Sequence, residues 1–271
     1  MKFLQQLLNT SRLLTVLYDN LSPVIKSSPL YGEVALYLEK YSGFNHLDAE
    51  KTISIYTRYI TAYNKHCKLF GKTGKYPPAQ EINDFSVSRE EYDVVLMLSI
   101  LFTQHRFRIM QLLTEQSKPV RNALYIGLGC GLEIELTKAN YSEIQAYDLS
   151  VNKFLFQQFP GIELKMERYR GQQKNHFDTI YLVELLEHLP NPFDLLATCY
   201  ASLKKGGKIL LTTATDIPQF DHVYNFKADH TDFEEAISKM GFSIVFKEMI
   251  PHHYLSIELN PCNHFYIIEK G

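Results

Sequence analysis

The sequence predicts an α/β protein in which a mostly parallel sheet is covered by helices on both faces and preceded by an all-helical region. Three observations predict it. Up to residue 118 the apolar residues recur with the period of a helix. From Pro119 onward, short strand-like runs alternate with helical ones, the pattern of a parallel sheet built from βαβ units. The first of those strands also runs directly into a glycine-rich turn, Gly127-x-Gly129-x-Gly131. Open α/β sheets bind ligands beyond the carboxyl ends of their strands, where that turn falls.

Taken in order, Phe3, Leu4, Leu7, Leu8, Leu14, Leu17 and Tyr18 follow an i, i+3, i+4, i+7 rhythm and predict an amphipathic helix. The same stripe suits the protein's own core, a lid, or one face of a homodimer. Further helices are predicted over 31–41, 48–70 and 89–117; the last opens on a capping box, Ser88-Arg-Glu-Glu, and stops before Pro119. The interval 71–87, with two glycines and two prolines, reads as a loop. Its Gly71-Lys72-Thr73 is no phosphate loop, because that pattern needs glycine at position 66, where His66 stands. After Pro119, strands are predicted at 122–127, 143–148, 162–166, 177–183, 207–213, 242–248 and 263–269. Helices are predicted at 132–140, 150–159, 192–204 and 231–240. The expected domains are a helical lid or substrate-binding region, 1–118, and a Rossmann-like domain, 119–271.

Composition narrows the class. The chain is 45% hydrophobic and 21% charged, ordinary for a globular protein, and its net charge of −2 gives no bulk case for nucleic acid or an anionic membrane. Cys67, Cys130, Cys199 and Cys262 are far apart and form no CxxC pair, which suits a reducing compartment. The N-terminal apolar residues are interrupted by Gln, Asn, Ser and Arg, and no run reaches the ~18 residues of a membrane span. The expectation is a soluble cytoplasmic protein.

Two motifs carry chemistry. In 124-LYIGLGCGLEIEL-136, glycines let the backbone turn sharply and approach a ligand that side chains would block. Asp148, 19 residues beyond Gly129 at the end of the next strand, can accept hydrogen bonds from ribose hydroxyls. With AYDLS, FDTIYLVELLEHLPNP and LKKGGKILLTT in the same order, residues 119–271 resemble a class I S-adenosylmethionine-dependent methyltransferase. The resemblance implies a seven-stranded sheet with an antiparallel last strand. It implies cofactor contacts from Gly127, Leu128, Gly129 and Gly131, from Asp148 and Leu149, and from Val183, with Glu167 placed for the adenine. The family usually carries Asp or Glu two residues before the first glycine, near the methionyl end of the cofactor; here that residue is Tyr125. The methionyl ammonium is then left to backbone carbonyls, water or another acid.

The second motif is 184-ELLEH-188. Glu184, Glu187 and His188, spaced i, i+3 and i+4, are expected on one face of a helical turn. Two carboxylates and an imidazole are reasonable ligands for Mg²⁺, Mn²⁺, Fe²⁺ or Zn²⁺, with His222 beyond the adjacent strand as a fourth. The pattern resembles the metal motif of ubiquinone-pathway O-methyltransferases and of small-RNA 2′-O-methyltransferases. Equally open are a metal-free base at His188 or Glu184 and a purely structural role. His252 and His253, between the last two strands, are further candidates for a base or substrate contact.

The function expected from these motifs is methyl transfer to an oxygen, less readily a nitrogen, of a small-molecule acceptor. RNA 2′-O-methylation is the first alternative. Against it, residues 1–118 carry 14 Lys and Arg against 11 Asp and Glu, and Lys65, Lys68, Lys72 and Lys75 form only a short basic run. A cofactor-binding protein that does not methylate is the other, and Tyr125 leaves room for it.

Overall fold

In this computed structural model, residues 2–76, 88–219, 221–227, 229–252 and 260–271 are described. The first part is helical: α1 (Lys2–Thr10), α2 (Arg12–Asp19), α3 (Pro23–Ser27), α4 (Pro29–Phe44), α5 (Ala49–Thr73), α6 (Arg89–Phe102) and α7 (Gln104–Gln116). The expected single N-terminal helix is two, because Ser11 takes an extended conformation and its side chain accepts from Leu14 N to cap α2. The expected helix 89–117 also divides, at an extended Thr103 whose hydroxyl bonds back to Ser99 O at 2.7 Å. The capping box at Ser88 and Glu91 forms as the sequence predicts.

The chain then alternates: β1 (Val120–Ile126), α8 (Leu132–Thr137), β2 (Tyr141–Tyr147), α9 (Lys153–Gln158), β3 (Glu163–Lys165), β4 (Phe177–Leu182), α10 (Pro192–Ser202), β5 (Leu203–Thr215), α11 (Thr231–Lys239), β6 (Phe242–Pro251) and β7 (Cys262–Lys270). The strands form one seven-stranded sheet in the order β3-β2-β1-β4-β5-β7-β6. The pairs among β1 to β5 are parallel, and β7 runs antiparallel between β5 and β6. The order reverses at β1, so the carboxyl ends of β1 and β4 open a crevice at the switch point.

Alternation along the strands sorts the core into two layers. Leu124, Leu182 and Leu211 turn to a layer shared with Leu196 of α10 and Ile237 of α11. On the other face Ala123, Tyr125, Leu210 and Phe265 pack into a layer that also contains Leu7, Tyr37, Leu98 and Phe107. The helical region is therefore half of this core, and its N-terminal apolar stripe is core-facing at Phe3, Leu4, Leu7 and Leu14. The four cysteines are free and buried. No helix among the described residues is long and apolar enough to cross a membrane.

If the two regions share one core, they unfold together. Phe107→Ala, which empties a fully buried site on α7, should cost about 3–5 kcal/mol. Denaturant curves followed by circular dichroism and tyrosine fluorescence should shift together, as a single transition.

Candidate active site

The crevice holds a cavity of ≈ 790 Å³, within the roughly 300–1,000 Å³ usual for small-molecule sites. Its floor is the β1–α8 turn. Gly127 and Gly131 have φ of 76° and 77°, which L side chains rarely adopt. A Cβ on Gly131 would also lie 2.6 Å from Leu155 Cδ2, so a side chain there would have to displace the leucine of α9 that packs on the turn. Asp148 Oδ2 accepts from Leu128 N at 2.7 Å and Oδ1 from Ser150 N at 3.0 Å. These bonds fix the carboxylate beside the turn.

Gly127, Gly129, Asp148, Leu149, Glu167 and Val183 all line the cavity. Leu128 and Gly131 shape the turn from behind it, Leu128 O accepting from Gly131 N at 2.7 Å. Glu167 stands with Arg168 and Tyr169 at the β3 side, and Val183 and Glu184 at the β4 side. Tyr125 is directed away, into the core. It stacks on Tyr181 with ring centroids 4.4 Å apart and meets Thr137 Oγ1 at 2.5 Å.

Glu184, Glu187 and His188 do not share a helical turn. Glu184 has a left-handed φ of 50°, and only Leu186–His188 form a single 3₁₀ turn. Such a conformation is strained for a non-glycine residue and persists only where its surroundings over-determine it. They do. Glu184 N donates to Thr212 Oγ1 at 2.6 Å, and Glu184 Oε1 accepts from Thr212 Oγ1 at 2.8 Å and Asn263 Nδ2 at 2.7 Å. Glu184 Oε2 accepts from Arg106 of α7. This corrects the expected metal set, since Glu184 is engaged elsewhere.

The remaining three come together. Ligand atoms of Glu187, His188 and His222 lie within 4.8 Å of one another. The cause is local: the Glu187 carbonyl accepts from Val223 N and Tyr224 N, which seats the segment after β5 against the 3₁₀ turn. Both Glu187 carboxylate oxygens and His222 Nδ1 are buried without a hydrogen-bond partner among the described residues. Burial, reinforced by Glu184, pushes the Glu187 carboxyl upward. Burial and the neighbouring His188 pull His222 down to about 3, so its imidazole is neutral. For His188, burial acts downward but Asp221 and Glu187 prevail and raise it. His188 Nδ1 sits 3.0 Å from Asp221 O, leaving Nε2 for other work.

His252 lies outside the main cavity. Its Nε2 meets Asn263 Oδ1 at 2.6 Å, its ring stacks on His105 at 3.6 Å, and it borders a smaller space of ≈ 60 Å³ behind Glu184. It thus touches Glu184 through Asn263. His253 lies outside the described residues.

Three cavity residues have no counterpart in the sequence reading. Arg89 NH2 donates to Gly129 O, its Nε lies 2.9 Å from Asp93 Oδ1, and its NH1 lies 3.6 Å from Asp148. Arg106 reaches Glu184 from the adjoining helix. Glu133, on the first turn of α8, lines the cavity with a buried Oε2 that meets no donor among the described residues. Burial pushes its carboxyl up to about 7. The available signals were an arginine at the start of α6, an arginine among apolar neighbours on α7, and an acid two residues past the last glycine of the turn.

The sequence profile of the Methyltransferase domain family matches residues 82–239, more than half of the chain. The protein belongs to that family, the S-adenosylmethionine-dependent class I methyltransferases. A ubiquinone biosynthesis O-methyltransferase of Xanthomonas euvesicatoria pv. vesicatoria is 29% identical over 104 residues, 35% of this chain and 44% of that protein. Its counterpart in Xanthomonas oryzae pv. oryzae is 31% identical with the same coverage. The chain thus matches less than half the length of these curated relatives. Among solved structures, the [4+2]-cyclase SpnF superposes with a TM-score of 0.52 at 13% identity, over 62% of this chain and 82% of that one. That likeness is one of fold.

Two tests follow from the buried charges. Glu184→Ala leaves the Arg106 guanidinium without its carboxylate and should cost about 3–5 kcal/mol in denaturant unfolding. Glu133 has its folded pKa, about 7, above that of an ordinary carboxyl. Between roughly pH 4.5 and 7 the folded state therefore holds more protons than the unfolded one, and ligand-free stability falls as pH rises. Glu133→Gln removes that loss, and the variant should gain on wild type by on the order of 1–3 kcal/mol between pH 5 and pH 8.

Proposed function

We propose that the protein transfers the methyl group of S-adenosylmethionine to an oxygen of a small-molecule acceptor. The observation that carries this reading is that one cavity joins the glycine turn and Asp148 to the Glu187–His188–His222 group. Glu167, Asp148, Gly127, Gly129 and Val183 would hold the cofactor, in the same cavity as Glu187, His188 and His222. Bound there, the cofactor would supply an electrophilic methyl group to the acceptor oxygen, S-adenosylhomocysteine being the leaving group and the acceptor proton passing to a base. Positioning in a site screened from water is most of this catalysis. Tyr92, Leu96, Ile100, Ile109 and Met110 of the helical region line the same cavity, supporting a partly apolar or aromatic acceptor.

The donor set fits a divalent cation: one carboxylate and two imidazoles, with both Glu187 carboxylate oxygens and His222 Nδ1 buried and without a hydrogen-bond partner among the described residues. Glu187, His188 and His222 would hold the ion, which would make a bound acceptor hydroxyl easier to deprotonate. Without a cation, His188 Nε2 is the atom placed to take the acceptor proton, while Nδ1 is oriented by Asp221 O. The ubiquinone-pathway relatives support oxygen as the acceptor atom.

The test is methyl-labelled S-adenosylmethionine offered to hydroxylated acceptors, catechols included, before and after chelation. Label should pass to oxygen, EDTA should lower turnover, and Mg²⁺, Mn²⁺, Fe²⁺ or Zn²⁺ should restore it. His222→Ala should lose that metal response while binding S-adenosylhomocysteine normally. Asp148→Ala should weaken S-adenosylhomocysteine by roughly 10–100-fold, the worth of hydrogen bonds to a charged acceptor. Bound cofactor with no transfer to any acceptor would sink the reading.

A further inference from the structure

We infer that Glu133 receives the methionyl ammonium of S-adenosylmethionine, taking the place of the acid that this chain lacks at position 125. The inference rests on the cofactor placement proposed above and names the residue that holds one end of it. Position 125 cannot serve. Tyr125 is buried, stacked on Tyr181 and bonded to Thr137, and it does not line the main cavity. Thr137 is in α8, on whose first turn Glu133 stands, and Thr137 Oγ1 also reaches back to Glu133 O at 2.6 Å. Tyrosine in the core and glutamate in the cavity are thus tied to one helical segment. The acid has moved from before the glycine turn to just after it.

Elimination among the cavity's carboxylates leads to the same residue. Glu184 already accepts from Arg106, Thr212 and Asn263. Asp148 accepts from two backbone amides on the ribose side. Asp221 accepts from Tyr92 and Gln219 and faces His188. Glu187 is unpartnered but grouped with two imidazoles on the acceptor side. Glu167 and Asp194 are exposed, and among the cavity's described carboxylates Glu133 alone combines a buried oxygen without a donor with a position directly after the glycine turn. Such an oxygen is costly until a donor arrives, and an ammonium brings both charge and hydrogen bonds. The same site holds Arg106, whose charge acts on Glu133 as well as Glu184. An anion and a cation side by side suit a group that carries both an ammonium and a carboxylate.

The experiment compares three ligands by calorimetry: S-adenosylhomocysteine, its analogue with hydrogen in place of the α-amino group, and 5′-methylthioadenosine, which lacks the amino-acid end. Wild type should prefer S-adenosylhomocysteine over the desamino analogue by roughly 10–100-fold. In Glu133→Gln that preference should fall to within about threefold, while methylthioadenosine binds as in wild type. Glu187→Gln should keep the preference. An unchanged preference in Glu133→Gln, or its loss in Glu187→Gln instead, would overturn the assignment. Loss of methylthioadenosine binding in Glu133→Gln would overturn it too, since Glu133 would then be shaping the turn. Wild-type protein that binds none of the three would overturn the cofactor placement itself.

Discussion

A guanidinium taken out of water must be answered by a carboxylate, and at Arg106 that requirement joins the two regions of the molecule. Arg106 is on α7, in the helical region, while Glu184 follows β4, at the carboxyl edge of the sheet. Their pairing explains the left-handed backbone of Glu184, because an ordinary helical turn at 184–188 would carry the carboxylate elsewhere. Thr212 of β5 and Asn263 of β7 complete the carboxylate's bonds, so one side chain gathers a helix and three strand ends. The strain at Glu184 is held by those partners rather than by its own turn. As a consequence, the following 3₁₀ turn aims Glu187 and His188 at His222.

The helical region is consequently part of the site's foundation. Arg89 caps the glycine turn through Gly129 O, and Asp93 beneath it is held by Tyr41, whose hydroxyl in turn accepts from Asn152 Nδ2. This chain of bonds runs from α6 through α4 to the start of α9. A lid that swung freely would have to break it and expose Phe107, Leu98 and Leu7. Residues of α6 and α7 line the cavity opposite the strand ends, held to the sheet by these bonds and this packing.

The sheet was legible because each of its signals is local. Short apolar runs between helical ones, a glycine turn and an acid 19 residues on are all visible within short windows. So was the capping box at Ser88. The breaks at Ser11 and Thr103 were not, because each rests on a single side chain choosing its own backbone over the helix. At the site, Asp148, His188 and His222, which line the cavity, could be named as candidates from spacing, whereas His252 falls outside it and Glu184 could not be separated from Glu187. What distinguishes them is Arg106, 78 residues away. Spacing predicts which residues can share a face; it does not predict which of them a distant charge will claim.

The carboxylates of the cavity therefore fall into two kinds, and the difference is functional. Glu184 is fully bonded and acts as structure. Glu133 and Glu187 each keep buried oxygens that nothing in the described protein satisfies. A core that is otherwise closely filled tolerates such groups at a cost to stability, and they concentrate where a ligand completes them. One lies just after the glycine turn and the other beside two imidazoles across the same cavity. Two positive centres, an ammonium at the first and a cation at the second, would relieve both. Binding would then offset, with an opposite charge, the burial and like-charge repulsion that raise these acids. The site would be at its most stable only when loaded.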